Sequence, residues 1–218
     1  MEHCREFKGQ KLNNCWEQDL FEQIQNTKDE SIKCQAYLSI ADYYVEEGRR
    51  ADADVIYARL ISRPENSDCK AYAEKEKTAL IALGPGTIAP TFQAVTSENQ
   101  VIDSKLLRNQ ALVLFFWATW CGACQHDYGD ISEINLKYTN KVKVIGISGD
   151  RSQNEFAGTI AAKGINWLNI RDGNNYEGPI NKLFLVNRYP TIILIDRNGR
   201  IISTRLRGDS LKNAIKRL

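Results

Sequence analysis

Histidine is scarce in this 218-residue chain, which has only His3 and His126. A zinc site needs about four ligands, and two separated histidines with one close cysteine pair do not supply them. No block of basic residues occurs, and the net charge of +2 is too near neutral to suggest a nucleic-acid binder or a polybasic membrane patch. No apolar run approaches the roughly 18 residues that a membrane helix requires. Met1 to Gln10 is polar and lacks the apolar centre of a signal peptide. Taken alone, that start reads as cytoplasmic, although a chain whose export signal has been removed would look the same. Hydrophobic residues make up 43% of the chain and charged ones 26%, enough to build one large core or two small ones.

Cysteine is well supplied, with residues at 4, 15, 34, 69, 121 and 124. Cys121 and Cys124 form a close pair. The other four permit two structural disulfides, which would require an oxidising compartment, or four reduced buried thiols.

Residues 1–83 read as a small bundle of about four helices. Leu12, Trp16, Leu20 and Ile24 recur every four residues, and Tyr37, Ile40, Ala41 and Tyr44 follow helical spacing. So do Ala53, Ile56, Tyr57 and Leu60. Gly48 and Pro64 fall where helices should stop, and Ser67 and Asp68 can cap a fourth helix carrying Tyr72, Leu80 and Leu83. The stretch Ser31 to Ile61 resembles one tetratricopeptide-like hairpin, but no second copy exists, so a solenoid is not supported. Antiparallel return of that hairpin would bring Cys69 back to the end that holds Cys34, which makes a Cys34–Cys69 bridge an expectation and leaves Cys4–Cys15 as the remaining pair.

Gly84-Pro85-Gly86 marks a boundary, and residues 84–218 alternate strands with helices. Thr91–Val95 and Gln100–Ile102 suggest a short hairpin. Ala111–Trp117 and Val142–Ser148 read as strands buried on both faces, with a possible third at Trp167–Ile170. Helices are expected over Cys124–Tyr138, Ser152–Lys163, Pro179–Leu185 and from Asp209 onward. Thr191–Asp196 and Arg200–Thr204 flank Arg197-Asn198-Gly199, a turn sequence suited to a hairpin. The order implies an α/β domain with a mixed central sheet, preceded by the all-α part.

The close cysteines fall between an apolar strand and a helix. A sulfur at a helix start meets exposed N–H groups and the positive end of the helix dipole, which favour a thiolate. Cys124 lies one turn further on and can approach the same sulfur. Cys121 is then the exposed nucleophile and Cys124 the resolving thiol of a redox-active disulfide. The alternatives, a zinc site and a purely structural bridge, fit the spacing and the strand–helix junction less well.

Trp117-Ala118-Thr119-Trp120-Cys121-Gly122-Ala123-Cys124 resembles the active-site motif of the thioredoxin superfamily. Tyr189-Pro190-Thr191 matches that family's cis-proline loop, and Asp196-Arg197-Asn198-Gly199 its hairpin turn. Gly86-Thr87-Ile88-Ala89-Pro90-Thr91-Phe92 resembles the entry motif of the TlpA/ResA-like branch, shared with peroxiredoxins. The resemblance covers Gly84 to Leu218. It implies a thioredoxin-like fold, a cis peptide at Tyr189–Pro190, and a substrate-binding surface that includes Trp120, Tyr189, Pro190 and Thr191. Many thioredoxins have a buried aspartate six residues before the first cysteine; Phe115 stands there. The branch instead has an acid three residues after the second cysteine, where this chain has Asp127. The resemblance makes Asp127 a catalytic candidate with Cys121 and Cys124; the alternative is a charge that only favours the helix start. Trp117 and Trp120 are expected to pack around the sulfurs and exclude water, and His126 is left out of the catalytic set.

These readings imply a thiol–disulfide oxidoreductase, acting as a reductant on client proteins and resupplied by an upstream redox donor, without cofactor, metal or nucleic acid. A disulfide oxidase or isomerase is the alternative within that chemistry; a non-catalytic helical partner-binding protein on a thioredoxin-like platform is the alternative outside it. A peroxiredoxin is disfavoured because Leu114 and Ala118 stand where its proline and threonine would be. The branch resemblance and the additional cysteines point to an extracytoplasmic compartment, a bacterial periplasm or envelope.

Overall fold

The computed structural model describes residues 15–62, 67–107 and 109–218. The chain divides into two compact units, Met1–Leu80 and Ile81–Leu218.

The first unit contains α1 (Cys15–Asn26), α2 (Glu30–Glu46), α3 (Arg50–Ile61) and the greater part of α4 (Ser67–Ala82). Asp29 starts α2 by accepting hydrogen bonds from the Ser31 and Ile32 amides at 2.8 and 3.3 Å, which satisfies donors left open by the first turn. The helical periodicities converge into one core. Tyr37, Ile40, Ala41 and Tyr44 of α2 meet Ala53, Ile56, Tyr57 and Leu60 of α3, with Ala73 of α4 in the same cluster. Among the described side chains of α1, Phe21 and Ile24 are buried and Leu20 is partly covered. Glu17 is fully buried one turn before Phe21, receives a hydrogen bond from the Tyr44 hydroxyl and faces Arg49 at 3.6 Å. Burial first, and Glu17 next, push the Tyr44 phenol well above the ordinary tyrosine range.

Cys34 and Cys69 form a disulfide with their Cα atoms 6.0 Å apart, as the hairpin argument expected. The Cys4–Cys15 pairing, and the roles of Leu12 and Pro64, lie outside the described residues. One expectation fails: Leu83 follows α4 and buries among the apolar residues of the second unit, with Phe92, Leu112 and Phe184.

The second unit has a five-stranded mixed sheet in the order β5-β4-β3-β6-β7. Its strands are β3 (Ala111–Trp117), β4 (Val142–Ser148), β5 (Leu168–Arg171), β6 (Thr191–Ile195) and β7 (Ile201–Ser203). β3 and β4 run parallel, as do β4 and β5; β6 runs antiparallel to β3, and β7 to β6. β1 (Gln93–Val95) and β2 (Val101–Asp103) form a separate antiparallel pair. The helices are α5 (Gly122–Lys137), α6 (Gln153–Lys163), α7 (Pro179–Leu183) and α8 (Gly208–Lys216).

Every residue of β3 is buried because it lies at the centre of the sheet between two cores. Alternate side chains point to opposite faces. Val113, Phe115 and Trp117 pack with Ile131 and Ile134 of α5, Phe156 of α6, and Leu211 and Ile215 of α8. Leu112, Leu114 and Phe116 pack with Ile180 and Phe184 near α7. The entry segment runs beside the later hairpin: the Ala89 amide donates to the Gly199 carbonyl at 2.8 Å, and Ile88 bridges Arg200. Gly199 turns that hairpin with φ +77°, the left-handed region that its lack of a side chain permits. The chain leaves the end of β3 directly into the loop that carries the cysteine pair.

Candidate active site

Cys121 occupies the N-cap of α5, in extended backbone conformation. The helix therefore starts at Gly122, two residues before the sequence-based start. The sulfur supplies the cap: the Cys124 amide donates to the Cys121 Sγ at 3.1 Å, and the Cys121 amide donates to the Ala118 carbonyl at 3.1 Å. The two sulfurs are joined, with Cα atoms 5.3 Å apart. Cys124 is fully buried, whereas Cys121 keeps 6% of its surface.

Trp117 and Ala118 are completely buried in the core that also holds both cysteines. Trp120 behaves differently: it is 56% exposed. Its ring sits 5.7 Å from that of Tyr189 and 6.4 Å from that of Tyr176, and Tyr176 lies 4.7 Å from Tyr189. The aromatic group leaves one large apolar face in water close to the disulfide.

The Tyr189–Pro190 peptide is cis, as the family resemblance implies, and leads directly into β6, where Thr191 pairs with Phe116 of β3. A buried polar relay holds this loop. The Tyr189 hydroxyl lies 2.9 Å from Asn181 Oδ1 and 3.0 Å from the Asn175 carbonyl, and these two acceptors share its single proton. Asn181 donates to Asp172 Oδ2 at 2.8 Å, and Asp172 also accepts the Ile180 and Asn181 amides at the start of α7. Burial, then the nearby Tyr176, Asp172 and Asp150, push the Tyr189 phenol well above the ordinary tyrosine range. Thr191 ties its hydroxyl to the Arg188 carbonyl at 2.9 Å.

Asp127 is buried on α5 and makes a two-pronged pair with Arg207: Nη2 to Oδ2 at 2.7 Å and Nε to Oδ1 at 3.2 Å. Arg207 is the residue on which α8 begins. Both carboxylate oxygens thus face a guanidinium, in the geometry that makes such pairs strong. Sequence spacing placed Asp127 one turn after Cys124; it gave no sign of the distant arginine. His126 is exposed.

Phe115 fills its position with an aromatic cluster, its ring 6.2 Å from Tyr128 and 6.1 Å from Trp167 in edge-on contacts. Two further residues went unnoticed in the sequence. Tyr176, in the 3-10 turn Asn175–Glu177, completes the aromatic group. Asp150, two residues beyond β4, is 1% exposed and accepts hydrogen bonds from the Thr119 amide at 3.0 Å, the Thr119 hydroxyl at 2.8 Å and the Ser148 hydroxyl at 2.6 Å. An acid just after a buried strand parallel to the one that bears the cysteines was the available signal, since sites in α/β sheets gather at the carboxyl ends of parallel strands.

The described residues contain no group of three or more His, Cys, Asp or Glu side chains placed to hold a metal ion. The mixed sheet, the disulfide at a helix N-cap and the cis-proline loop define a thiol–disulfide oxidoreductase of thioredoxin-like fold. Residues 109–201 match the family model described as Thioredoxin-like, and the second unit carries a thioredoxin-like domain. The chain is 26% identical over 147 residues to the thiol-disulfide oxidoreductase ResA of Bacillus thuringiensis (strain Al Hakam), covering 66% of this chain and 79% of that protein. Two solved structures share the fold. The thioredoxin domain of a thiol-disulfide oxidoreductase from Bacteroides vulgatus superposes with a TM-score of 0.56 at 20% identity, covering 62% of this chain and 97% of that one. A thiol-disulfide oxidoreductase from Bacteroides fragilis NCTC 9343 gives 0.56 at 23% identity, covering 60% and 98%.

Proposed function

We propose that this oxidoreductase reduces disulfides in client proteins of an extracytoplasmic compartment, with Cys121 attacking and Cys124 resolving. The observation that carries the reading is that Cys121, at the N-cap of α5, retains some exposed surface and Cys124 none. In the reduced protein the Cys121 thiolate attacks one sulfur of a client disulfide. A bond forms between Cys121 and the client, and the other client sulfur leaves as a thiolate. Cys124, as a thiolate, then attacks the Cys121 sulfur and releases the second client sulfur. The client gains two electrons and two protons, and the Cys121–Cys124 disulfide remains for an upstream donor to reduce.

The direction is supported by the surroundings of the pair. Strong oxidants hold the nucleophilic thiolate beside cations. Here His126 is exposed and Arg207 is committed to Asp127. Trp120, Tyr189, Pro190 and Thr191 are the proposed client-binding surface, with the cis-proline backbone beside an extended client strand. Asp127 is proposed to act with the pair through its place one turn beyond Cys124. The compartment is supported by the Cys34–Cys69 disulfide, since such bridges persist where the surroundings are oxidising. The helical residues 1–83 and the redox residues 84–218 are proposed as the two domains.

The test is trapping. Cys124→Ser should accumulate a mixed disulfide between Cys121 and a peptide disulfide, visible by mass, and Cys121→Ser should accumulate none. Trapping through Cys124 in the Cys121→Ser protein would reverse the assignment. A reduction potential near that of the strongly oxidising dithiol proteins would replace the reductant by an oxidase.

A further inference from the structure

Phe115 removes a buried acid from the strand that leads to the cysteines, yet a buried acid reaches the same loop from another strand. Asp150 lies just past β4, the parallel neighbour of β3, in whose register Trp117 faces Ser148. The Gly149 amide donates to the Trp117 carbonyl at 3.0 Å, so the ends of the two strands are tied where the redox loop starts. From there the Asp150 carboxylate takes both the amide and the hydroxyl of Thr119, and the Ser148 hydroxyl beneath. None of these side-chain partners is cationic. Arg171 reaches only the Asp150 backbone carbonyl, at 3.5 Å, and that of Arg151.

Thr119 is two residues before Cys121. Chain reach therefore puts the carboxylate within about 10 Å of the Cys121 backbone. Trp117, Ala118 and Cys124, which line this region, have no exposed surface, while Thr119 is half-buried and Trp120 is 56% exposed, so solvent and salt screen the charge only in part. Other titratable groups surround the pair. On α5 these are exposed His126, Asp127 in its pair with Arg207 of the α8 start, and Tyr128; from the cis-proline side they are Tyr189 and Tyr176. Asp150 acts on Tyr128 and Tyr189 by charge, since it helps to raise both phenols.

We propose that Asp150 is a positioning residue of the redox site, which fixes the Thr119–Cys121 turn through Thr119 and whose negative charge disfavours the Cys121 thiolate. The oxidised pair carries no charge, whereas the reduced pair can carry a thiolate. A fixed negative charge nearby therefore raises the reduced form in energy and makes the pair a better electron donor. The inference rests on the redox reading of Cys121 and Cys124 and adds to it the element that sets its direction.

Two variants of the full chain test this with opposite signs. Asp150→Asn keeps an oxygen for the Thr119 amide and removes the charge. The Cys121 thiol, followed by the ultraviolet absorbance of its thiolate, should then ionise at lower pH. Equilibration with defined ratios of reduced and oxidised dithiothreitol, above the thiol midpoint, should shift roughly tenfold toward the reduced protein. Thr119→Ala removes a hydrogen bond that partly offsets the charge, and should move both readouts the other way. Loosening of the loop alone would move the two variants together. Unchanged or same-direction shifts overturn the proposal. If Asp150→Asn does not fold, Thr119→Ala decides: a higher thiol midpoint supports the proposal, and an unchanged or lower one overturns it. A wild-type pair that does not equilibrate with dithiothreitol at all would refute the redox reading itself.

Discussion

Gly149→Ala is the substitution for which the structure gives the sharpest expectation. Gly149 lies between the end of β4 and Asp150, and the Tyr189 hydroxyl rests against its Cα. A Cβ there would stand 2.1 Å from the Tyr189 hydroxyl oxygen and 2.9 Å from the adjoining ring carbon. Ordinary contact begins near 3.4 Å, so the two groups must separate by about 1.3 Å. The tyrosine cannot swing aside freely. Its ring is packed against Tyr176 and Trp120, its hydroxyl is bound to Asn181 and Asn175, and its own peptide precedes Pro190. Overpacking of this kind costs about 1–3 kcal/mol, and loss of the hydroxyl's hydrogen bonding adds about 1 kcal/mol. A destabilisation of about 2–4 kcal/mol is expected. Urea unfolding followed by tryptophan fluorescence is the assay, because Trp117, Trp120 and Trp167 all lie in the second unit. The midpoint should fall with little change in slope. Exchange with a peptide disulfide should slow several-fold, while exchange with dithiothreitol, which needs no extended binding loop, should be affected less. Tyr189→Phe removes the atom at 2.1 Å, so the double variant should recover part of the loss, and the coupling is measurable as a cycle. A Gly149→Ala protein with wild-type midpoint and wild-type peptide exchange would refute the reasoning.

Three other substitutions probe different parts of the chain. Replacing Cys34 and Cys69 together by Ala opens a cross-link spanning 35 residues; loop entropy puts the loss at about 3–4 kcal/mol for the helical unit, measured by urea unfolding followed by helical circular dichroism. Arg207→Ala leaves the buried Asp127 carboxylate without its partner and should cost about 1–2 kcal/mol, discounted because the guanidinium is 43% exposed; thermal unfolding with an Arg207→Lys control checks it. Glu133 is held down at about 2 by Lys212 and then Lys137. Its folded value lies below the unfolded one, so its contribution is present above about pH 4.5 and is lost as pH falls toward 2. Glu133→Gln should therefore lower stability at neutral pH and make no difference near pH 2, and a constant difference across that range would contradict the assignment.

Local signals determined a great deal of this architecture. The all-apolar run Ala111–Trp117 could bury both faces only at the centre of a sheet, and it does. Helical spacing identified the residues of α2 and α3 that share a core, and it was helix return rather than cysteine count that paired Cys34 with Cys69. The spacing of Cys121 and Cys124 put two sulfurs within one turn at a helix start, where geometry allows them to join. Each of these depends on residues close in sequence, or on one periodic pattern whose buried side is fixed by the need to exclude apolar surface from water.

Tertiary structure alone decided what those features meet. Arg207 is 80 residues from Asp127, and nothing in the spacing of either announces the pair. Trp120 meets Tyr176 and Tyr189, more than 50 residues away in the chain, and its neighbourhood is not written in the cysteine motif. Leu83 continues the helical pattern of the first unit and is buried in the second, because α4 ends one residue earlier and the chain there has already passed into the second unit. Asp150 gains its place from the parallel pairing of β3 with β4, which brings Ser148 beside Trp117 and so an acid beside Thr119. In the sequence its one hint is its place just after a buried strand. Its significance arises from burial and from long-range hydrogen bonds, and these are set by which strands lie side by side. A redox-competent cysteine pair on a strand–helix junction is legible in local order alone, whereas the charges and rings around it come from chain segments that meet only on folding.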